Sequence, residues 1–319
     1  MADADFLNES QISSFMNVLV TGGAGFIGSH LCDALLADGN KVYVLDNLST
    51  GSLTNLPKGV TLFEHSLGDD LTPLFSKVKF DAVFHLAAQT EVTKSIADPK
   101  FDAQINIMGT LNLLEHMRAA GVKRIIFSST GGAIYGETDR IPTPETSPAI
   151  PESPYGIAKL TLDNYLQFYQ NVHGFSTCSL RYSNVYGPRQ LPKGEAGVVA
   201  IFIQSLLQGK QCTIRGDGKQ TRDLVYVHDV VNANLVALHK KLEGIFNVGT
   251  GKQTTVNELH EKITKLMGFP WKAVHTPAVK GELMHSALLT DKIKPFWRAQ
   301  TELDAGLRET IDWFKSHNK

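Results

Sequence analysis

The chain of 319 residues carries 31 Lys and Arg against 32 Asp and Glu, and 42% of it is hydrophobic. That length accommodates one large core or two domains. A net charge near zero, with no basic block, gives no footing for nucleic acid or an anionic membrane, and no apolar run approaches the ~20 residues that span a bilayer.

Residues 1–15 are polar and acidic, lack the basic and apolar regions of a secretion signal, and read as a tail or tag ahead of Met16. Asn17–Val20 reads as a short buried strand, and apolar positions from Phe26 through Ile27, Leu31, Ala34 and Leu35 read as a helix. Gly22, Gly25 and Gly28 therefore occupy a strand-to-helix turn. The first permits the tight turn, the second the approach of a pyrophosphate, and the third close packing of the helix. The unpaired N–H groups and positive dipole end of that helix then face the phosphates. A second strand, 41–46, ends in Asp46, eighteen residues beyond Gly28. That is close to the ~20-residue spacing of the acid that hydrogen-bonds an adenosine ribose. A carboxylate there repels a 2′-phosphate, so the cofactor reads as NAD rather than NADP. The plainer role for Asp46 is a turn residue opening a polar loop.

A third strand is expected at 60–64, a short helix at 69–77, and a fourth strand from Ala82 through His85, Leu86, Ala87 and Ala88, whose small residues permit close approach of a dinucleotide. His85 has apolar neighbours and reads as a satisfied core histidine. A helix over 99–120 carries apolar residues on more than one face, and a fifth strand over 124–128 leads into Ser128, Ser129 and Thr130. Strands alternating with helices predict an α/β fold, a doubly wound parallel sheet of Rossmann type, with ligands beyond the carboxyl ends of the strands. A Pro-rich stretch, 141–154, precedes a helix over 155–172 that places Tyr155 and Lys159 on one face. A strand over 177–182 follows, then shorter elements with helices near 197–209, 229–240, 256–267 and 303–315. The organisation expected is a tail at 1–15, an NAD-binding domain at 16–183 and a smaller α+β substrate domain at 184–319, with some segments interleaved. Cys32, Cys178 and Cys212 form no spaced pair and read as buried reduced thiols of a cytoplasmic protein, and no metal is expected.

Four runs now stand in order: Thr21 to Gly28, Tyr155-x-x-x-Lys159, Leu180-Arg-Tyr-Ser-Asn-Val-Tyr-Gly-Pro-Arg189, and Gly216-Asp-Gly-Lys-Gln-Thr-Arg-Asp223. Together they resemble the extended short-chain dehydrogenase/reductase family from Met16 to the C-terminus, and within it the UDP-glucose (UDP-galactose) 4-epimerases. The resemblance implies an enzyme that oxidises a UDP-sugar to a 4-keto sugar and returns the hydride to the opposite face. Tyr155 would act as base, Lys159 would favour its phenolate and bond the nicotinamide ribose, and Thr130 would hold the sugar hydroxyl. A tyrosine of pKa ~10 working near pH 7 asks for ~3 units, roughly 4 kcal/mol, of differential stabilisation. Further positions implied to contact NAD are Phe26, Ile27, Asp46, Asn47, Ser49, Thr50, Gly51, Leu67, Leu86–Gln89, Asn106, Ser128 and Tyr182. Those implied for the UDP-sugar are Asn184, Val198, Thr213, Arg215, Arg222, Lys280, Glu282 and Ser286. A guanidinium such as Arg222 forks onto phosphate oxygens; its plainer role is an ion pair with Asp223 or Asp229.

The chain departs from the family pattern at several points. Ser66 replaces an acid near the adenine, the segment after Thr130 is one residue longer, and Val279 stands where a second phosphate arginine is expected, with Lys280 beside it. Ser286 replaces a bulky tyrosine, leaving room for an N-acetyl group, so UDP-GlcNAc and UDP-GalNAc are expected substrates as well. The neighbouring chemistries are a UDP-glucuronate 4-epimerase and a sugar-nucleotide dehydratase or decarboxylase; Gly131-Gly132 lacks the acids the last two require. A non-catalytic NAD sensor is the reading from another class. Apolar residues on helices 99–120 and 155–172 predict a homodimer through a four-helix bundle.

Overall fold

The computed structural model describes residues 15–192, 197–278 and 283–317. Six strands follow the predicted order: β1 Asn17–Thr21, β2 Lys41–Leu45, β3 Thr61–Phe63, β4 Ala82–His85, β5 Arg124–Thr130 and β6 Ser176–Tyr182. A seventh, Gly244–Val248, returns from the C-terminal half to pair with β6. The sheet runs Gly244–Val248, β6, β5, β4, β1, β2, β3, and every pairing is parallel. Strands from both sides of the 183/184 boundary therefore share one sheet. Its order reverses between β1 and β4, which opens a crevice at their carboxyl ends.

Both faces of the sheet are covered, which is why β1 and β4 read as unbroken apolar runs. On one face Val18, Val20, Phe84, Leu31 and Leu35 pack with Val230, Ala233 and Ala237 of the helix Val227–His239. On the other, Leu19, Val83, Ile125 and Phe127 pack with Leu113, Met117, Leu162, Leu166 and Tyr169. A third core gathers Tyr186, Phe202, Ile203, Leu259, Ile263, Leu307 and Phe314 around three later helices. Among the described residues no helix is long and apolar enough to cross a membrane.

Two local differences from the sequence reading bear on the site. The helix predicted over 99–120 is three pieces: Pro99–Ala103, a π-helical turn Gln104–Met108, and Gly109–Ala119. At the junction Gly109 faces Leu67, where a Cβ would lie 2.9 Å from the Leu67 Cβ, while Asn106 turns its amide onto Gln89. π-turns of this kind recur at functional sites. Short helices at Val92–Ala97 and Gly131–Ile134 carry too few residues to show periodicity in sequence. The helix Pro154–His173 starts where Ser153 accepts from the Gly156 amide at 3.2 Å and Pro154 sits at N1, and it ends at Gly174 with φ +65°. A side-chain cap of that type contributes about 1 kcal/mol.

Candidate active site

Strands β1 and β4 end side by side, and Gly22 turns the chain there at φ +71°. A Cβ on Gly22 would lie 2.7 Å from the Ala87 amide nitrogen, so only glycine lets the turn meet residues 86–88. A Cβ on Gly28 would strike the Gly22 carbonyl oxygen. Gly25 stands as the N-cap of the helix Phe26–Ala37 in extended backbone, leaving the first-turn amides of Phe26 and Ile27 at the mouth of the crevice. The next loop folds back over this cradle. Asp46 accepts from the Ala24 amide at 3.0 Å through Oδ2 and from the Leu48 amide at 2.8 Å through Oδ1. Asn47 Oδ1 accepts from the Ser49 amide at 3.1 Å, and its Nδ2 donates to Ser66 Oγ at 3.1 Å. Ser49 and Thr50 are exposed, and Gly51 lies against Ala24. Asp46 thus performs the turn role and keeps lone pairs for further donors, since an ionised carboxylate accepts at about four positions.

Across the crevice a buried relay holds the 86–89 segment. The Leu86 and Ala87 amides each donate to Thr21 Oγ1 at 3.2 Å, and that hydroxyl donates to His85 Nδ1 at 2.7 Å. His85 Nε2 donates to Thr110 Oγ1 at 2.8 Å, whose own proton goes to the Asn106 carbonyl at 2.6 Å. The Gln89 amide donates to Asn106 Oδ1 at 2.8 Å, and Asn106 Nδ2 to the Gln89 carbonyl at 2.9 Å. Both ring nitrogens of His85 are satisfied in its neutral form. Burial pushes it down to about 3, and the nearby Lys159 ammonium acts in the same direction. Leu67, packed on Gly109, has its carbonyl held by Asn112 Nδ2 at 2.7 Å.

Tyr155 and Lys159 project from the first turns of the helix Pro154–His173 beside the end of β5. The Tyr155 amide donates to Ser95 Oγ at 3.2 Å, a buried hydroxyl that no sequence pattern singled out. Lys159 Nζ donates to the Ser128 carbonyl at 2.7 Å and stands 4.6 Å from the Phe127 ring centroid and 5.8 Å from that of Tyr155. Burial brings Lys159 down to about 8, while the Asp163 and Asp102 carboxylates oppose the fall. Burial raises Tyr155 well above its ordinary value, and the Asp102 charge adds to the rise. The stabilisation needed for a phenolate therefore exceeds the ~3 units set by the free side chain. Thr130 is the last residue of β5, half-buried and paired in register with Tyr182. Its side chain caps no helix amide, and the following Gly131 lies under Leu288, whose side chain would have to move to admit a Cβ. Tyr182 itself is buried, with its hydroxyl accepting from Asn234 Nδ2 at 2.8 Å.

Ser129 Oγ, Ser183 Oγ, Asn184 Oδ1 and Asp102 Oδ2 are buried and have no hydrogen-bond partner among the described residues. The first three stand at or just beyond the carboxyl ends of β5 and β6. Buried polar atoms left unpaired are costly, so such a row fits a polar ligand seated on those strand ends. Ser183 was not among the sequence candidates; its only signal is a hydroxyl directly after a strand. The glycine cradle and these open acceptors and donors fit a dinucleotide laid across the switch point.

The remaining positions stand on the smaller elements. Asn184 opens the strand Asn184–Tyr186, paired with Leu224–Tyr226, and Val198 opens the helix Val198–Leu207. Thr213 and Arg215 lie on a strand paired with Val274–Thr276. Arg222 donates through Nη1 to the Thr221 and Leu283 carbonyls, both at 2.9 Å. Asp223 receives the Thr250, Gly251 and Leu288 amides, and Asp229 those of Gln300 and Thr301. Ser286 is buried in the segment tied to the Pro-rich stretch by the Thr143 amide on the Ala287 carbonyl at 2.8 Å. Val279, Lys280 and Glu282 lie outside the described residues. Among the described residues no three His, Cys, Asp or Glu side chains gather as metal ligands.

Comparison with known proteins agrees with this geometry. The model of the NAD dependent epimerase/dehydratase family matches residues 18–249. A putative UDP-glucose 4-epimerase of Methanocaldococcus jannaschii is 43% identical over 304 residues, 95% of this chain and 99% of that protein. The structure of a Thermotoga maritima UDP-glucose 4-epimerase with UDP-glucose superposes with a TM-score of 0.93 at 47% identity, covering 95% of this chain and 100% of that one. A Thermus thermophilus UDP-glucose 4-epimerase in complex with NAD gives 0.90 at 44% identity, covering 94% and 99%.

Proposed function

The chain belongs to the NAD dependent epimerase/dehydratase family, and we propose that it is the NAD-dependent enzyme that interconverts a UDP-sugar and its 4-epimer. One observation carries the reading: Tyr155 and Lys159 stand on one helix beside the end of β5, whose last residue is Thr130, next to a glycine cradle shaped for a dinucleotide. Bound NAD supplies a hydride acceptor that gives the hydride back. Tyr155 takes the proton of the sugar 4-hydroxyl and returns it after the 4-keto sugar has turned over. Lys159, fixed by the Ser128 carbonyl, stabilises the phenolate by charge. Thr130 orients the hydroxyl, and Asn184 and Arg222 hold the diphosphate. Residues 16–183 form the NAD-binding part and 184–319 the sugar-nucleotide part, with the strand Gly244–Val248 lent back to the sheet. The loop from Asp46 to Gly51, tied over the cradle, supports retention of NAD between turnovers.

Incubation of the protein, without added cofactor, with a panel of UDP-sugars tests this. UDP-glucose and UDP-galactose are expected to equilibrate, and so are UDP-GlcNAc and UDP-GalNAc, because Ser286 leaves space for the acetamido group. No 4-epimer from any sugar rejects the function. UDP-glucose turned over with UDP-GlcNAc untouched rejects the wider pocket.

The protein is further proposed to be a cytoplasmic homodimer. Met108, Ile157, Tyr165, Phe168 and Val172 are exposed on the paired helical segments, whereas Leu162, Leu166 and Tyr169 of the same stretch are spent in the core. The three cysteines are free and buried, as suits a reducing compartment. Light scattering is expected to give the mass of two chains, and Phe168→Glu that of one; a wild-type monomer refutes the dimer. Recovery outside the soluble cytoplasmic fraction refutes the compartment.

A further inference from the structure

Asp102 has no role in the reaction as described, yet it is one of the most enclosed carboxylates of the chain, 1% exposed. It sits on the helix Pro99–Ala103, which packs against the helix of Tyr155 and Lys159. Its Oδ1 accepts from Gln89 Nε2 and from Asn106 Nδ2, both at 3.0 Å. Its Oδ2 is buried and has no hydrogen-bond partner among the described residues. A carboxyl kept only to order two amides needs one oxygen; a second buried oxygen without a donor costs free energy. The arrangement therefore places a bare negative charge beside the catalytic helix.

We infer that Asp102 is a positioning residue whose charge, set against the helix of Tyr155 and Lys159, strengthens the hold of each on its own proton and sets the pH range over which the pair works. This rests on the proposed function of that pair. The titratable and charged groups around it are Asp102 on the helix Pro99–Ala103, Asp163 one turn along its own helix, Arg181 on β6 and His85 on β4. Asp163 is neutralised by Arg181 Nη2 at 2.8 Å, and His85 is neutral. Among the described residues Asp102 forms no ion pair, whereas Asp163, whose charge also acts on Lys159, is bound to Arg181. Its charge acts on both members in one sense, raising Tyr155 and opposing the fall of Lys159. Removal lets both release protons more readily, so both limbs of the activity profile move toward acid.

Asp102→Asn keeps the acceptor for Gln89 and Asn106, removes the charge and places an amide nitrogen where Oδ2 stood. In the folded, NAD-loaded protein both limbs of the kcat/KM profile are expected to shift toward acid by about half a pH unit or more. The phenolate absorbance of Tyr155, read as the difference from a matched Tyr155→Phe protein, is expected to shift in the same direction, and this readout requires no turnover. Asp102→Glu, which displaces the charge by one methylene, is expected to shift both by less. A purely structural role would lower stability or NAD content and leave both midpoints in place. Unmoved midpoints in the folded Asn variant overturn the inference; where that variant does not fold, Asp102→Ser, which keeps a hydroxyl acceptor and removes the charge, carries the same test with the same overturning result. A wild-type protein that turns over no sugar rejects the proposed function instead; the absorbance shift then still decides the role of Asp102.

Discussion

Tyr155→Phe is expected to lose about a thousandfold in sugar turnover, inside the 10²–10⁴ that a positioned acid–base group contributes, and to keep its NAD. The substitution removes one oxygen and leaves what places the ring. Ser153 still caps the helix through the Gly156 amide, the backbone amide of residue 155 still donates to Ser95 Oγ, and Lys159 still donates to the Ser128 carbonyl. Loss of one hydroxyl changes stability by about 1 kcal/mol at most. The measurements are initial rates with UDP-galactose and NAD released on denaturation. Turnover within tenfold of wild type would remove Tyr155 from the role of base. Inactivity with NAD retained separates an enzyme from a sensor, because a sensor has no use for the phenol.

The second large effect is on stability. Asp163 and Arg181 form a buried ion pair in which Nη2 lies 2.8 Å from Oδ2 and Nε donates to the same oxygen at 2.9 Å. Ser179 Oγ donates to Oδ1 of the same carboxylate, and Arg181 Nη1 donates to the Tyr135 hydroxyl at 2.9 Å. Tyr135 in turn donates to Asn247 Oδ1 at 2.8 Å, so one network joins the catalytic helix, β6 and the strand Gly244–Val248. Asp163→Leu leaves the guanidinium buried without its anion, and a loss of about 3–5 kcal/mol is expected. The double variant Asp163→Leu with Arg181→Met removes both charges and is expected to recover most of that loss, because paired burial gains little over apolar packing. Urea unfolding at fixed NAD concentration measures both. A single-variant loss below about 1 kcal/mol, or a double variant no better than the single, refutes the account. Lys159 lies one turn from Asp163, so turnover is expected to fall in the single variant along with stability.

Several features were legible in sequence for local reasons. Glycines at 22, 25 and 28 are demanded by contacts within one turn, and strand-to-helix order follows from apolar period. Tyr155 and Lys159 share a face because four residues make about one helical turn. The π-turn at Gln104–Met108 was not legible, because the contacts around it, Asn106 on Gln89 and Gly109 on Leu67, join residues far apart in sequence. Ser95 and Ser183 were missed for the same reason: a lone serine has no spacing to betray it, and only the packed structure brings the Tyr155 amide to one and leaves the other unpartnered.

By itself the sequence determined the alternation of strand and helix, the glycine turn between β1 and the first helix, and the placing of Tyr155 and Lys159 on one helical face. These depend on backbone sterics and on spacings of a few residues, which the chain carries wherever it goes. Only the tertiary structure decided that Gly244–Val248 completes the sheet, that Thr21, His85 and Thr110 form one relay, and that Asp102 is buried against the helix Pro154–His173 with one oxygen unpartnered among the described residues. The physical reason is burial. Away from water a charge or an unpaired hydroxyl acquires large consequences, and burial belongs to the assembled core rather than to any stretch of chain.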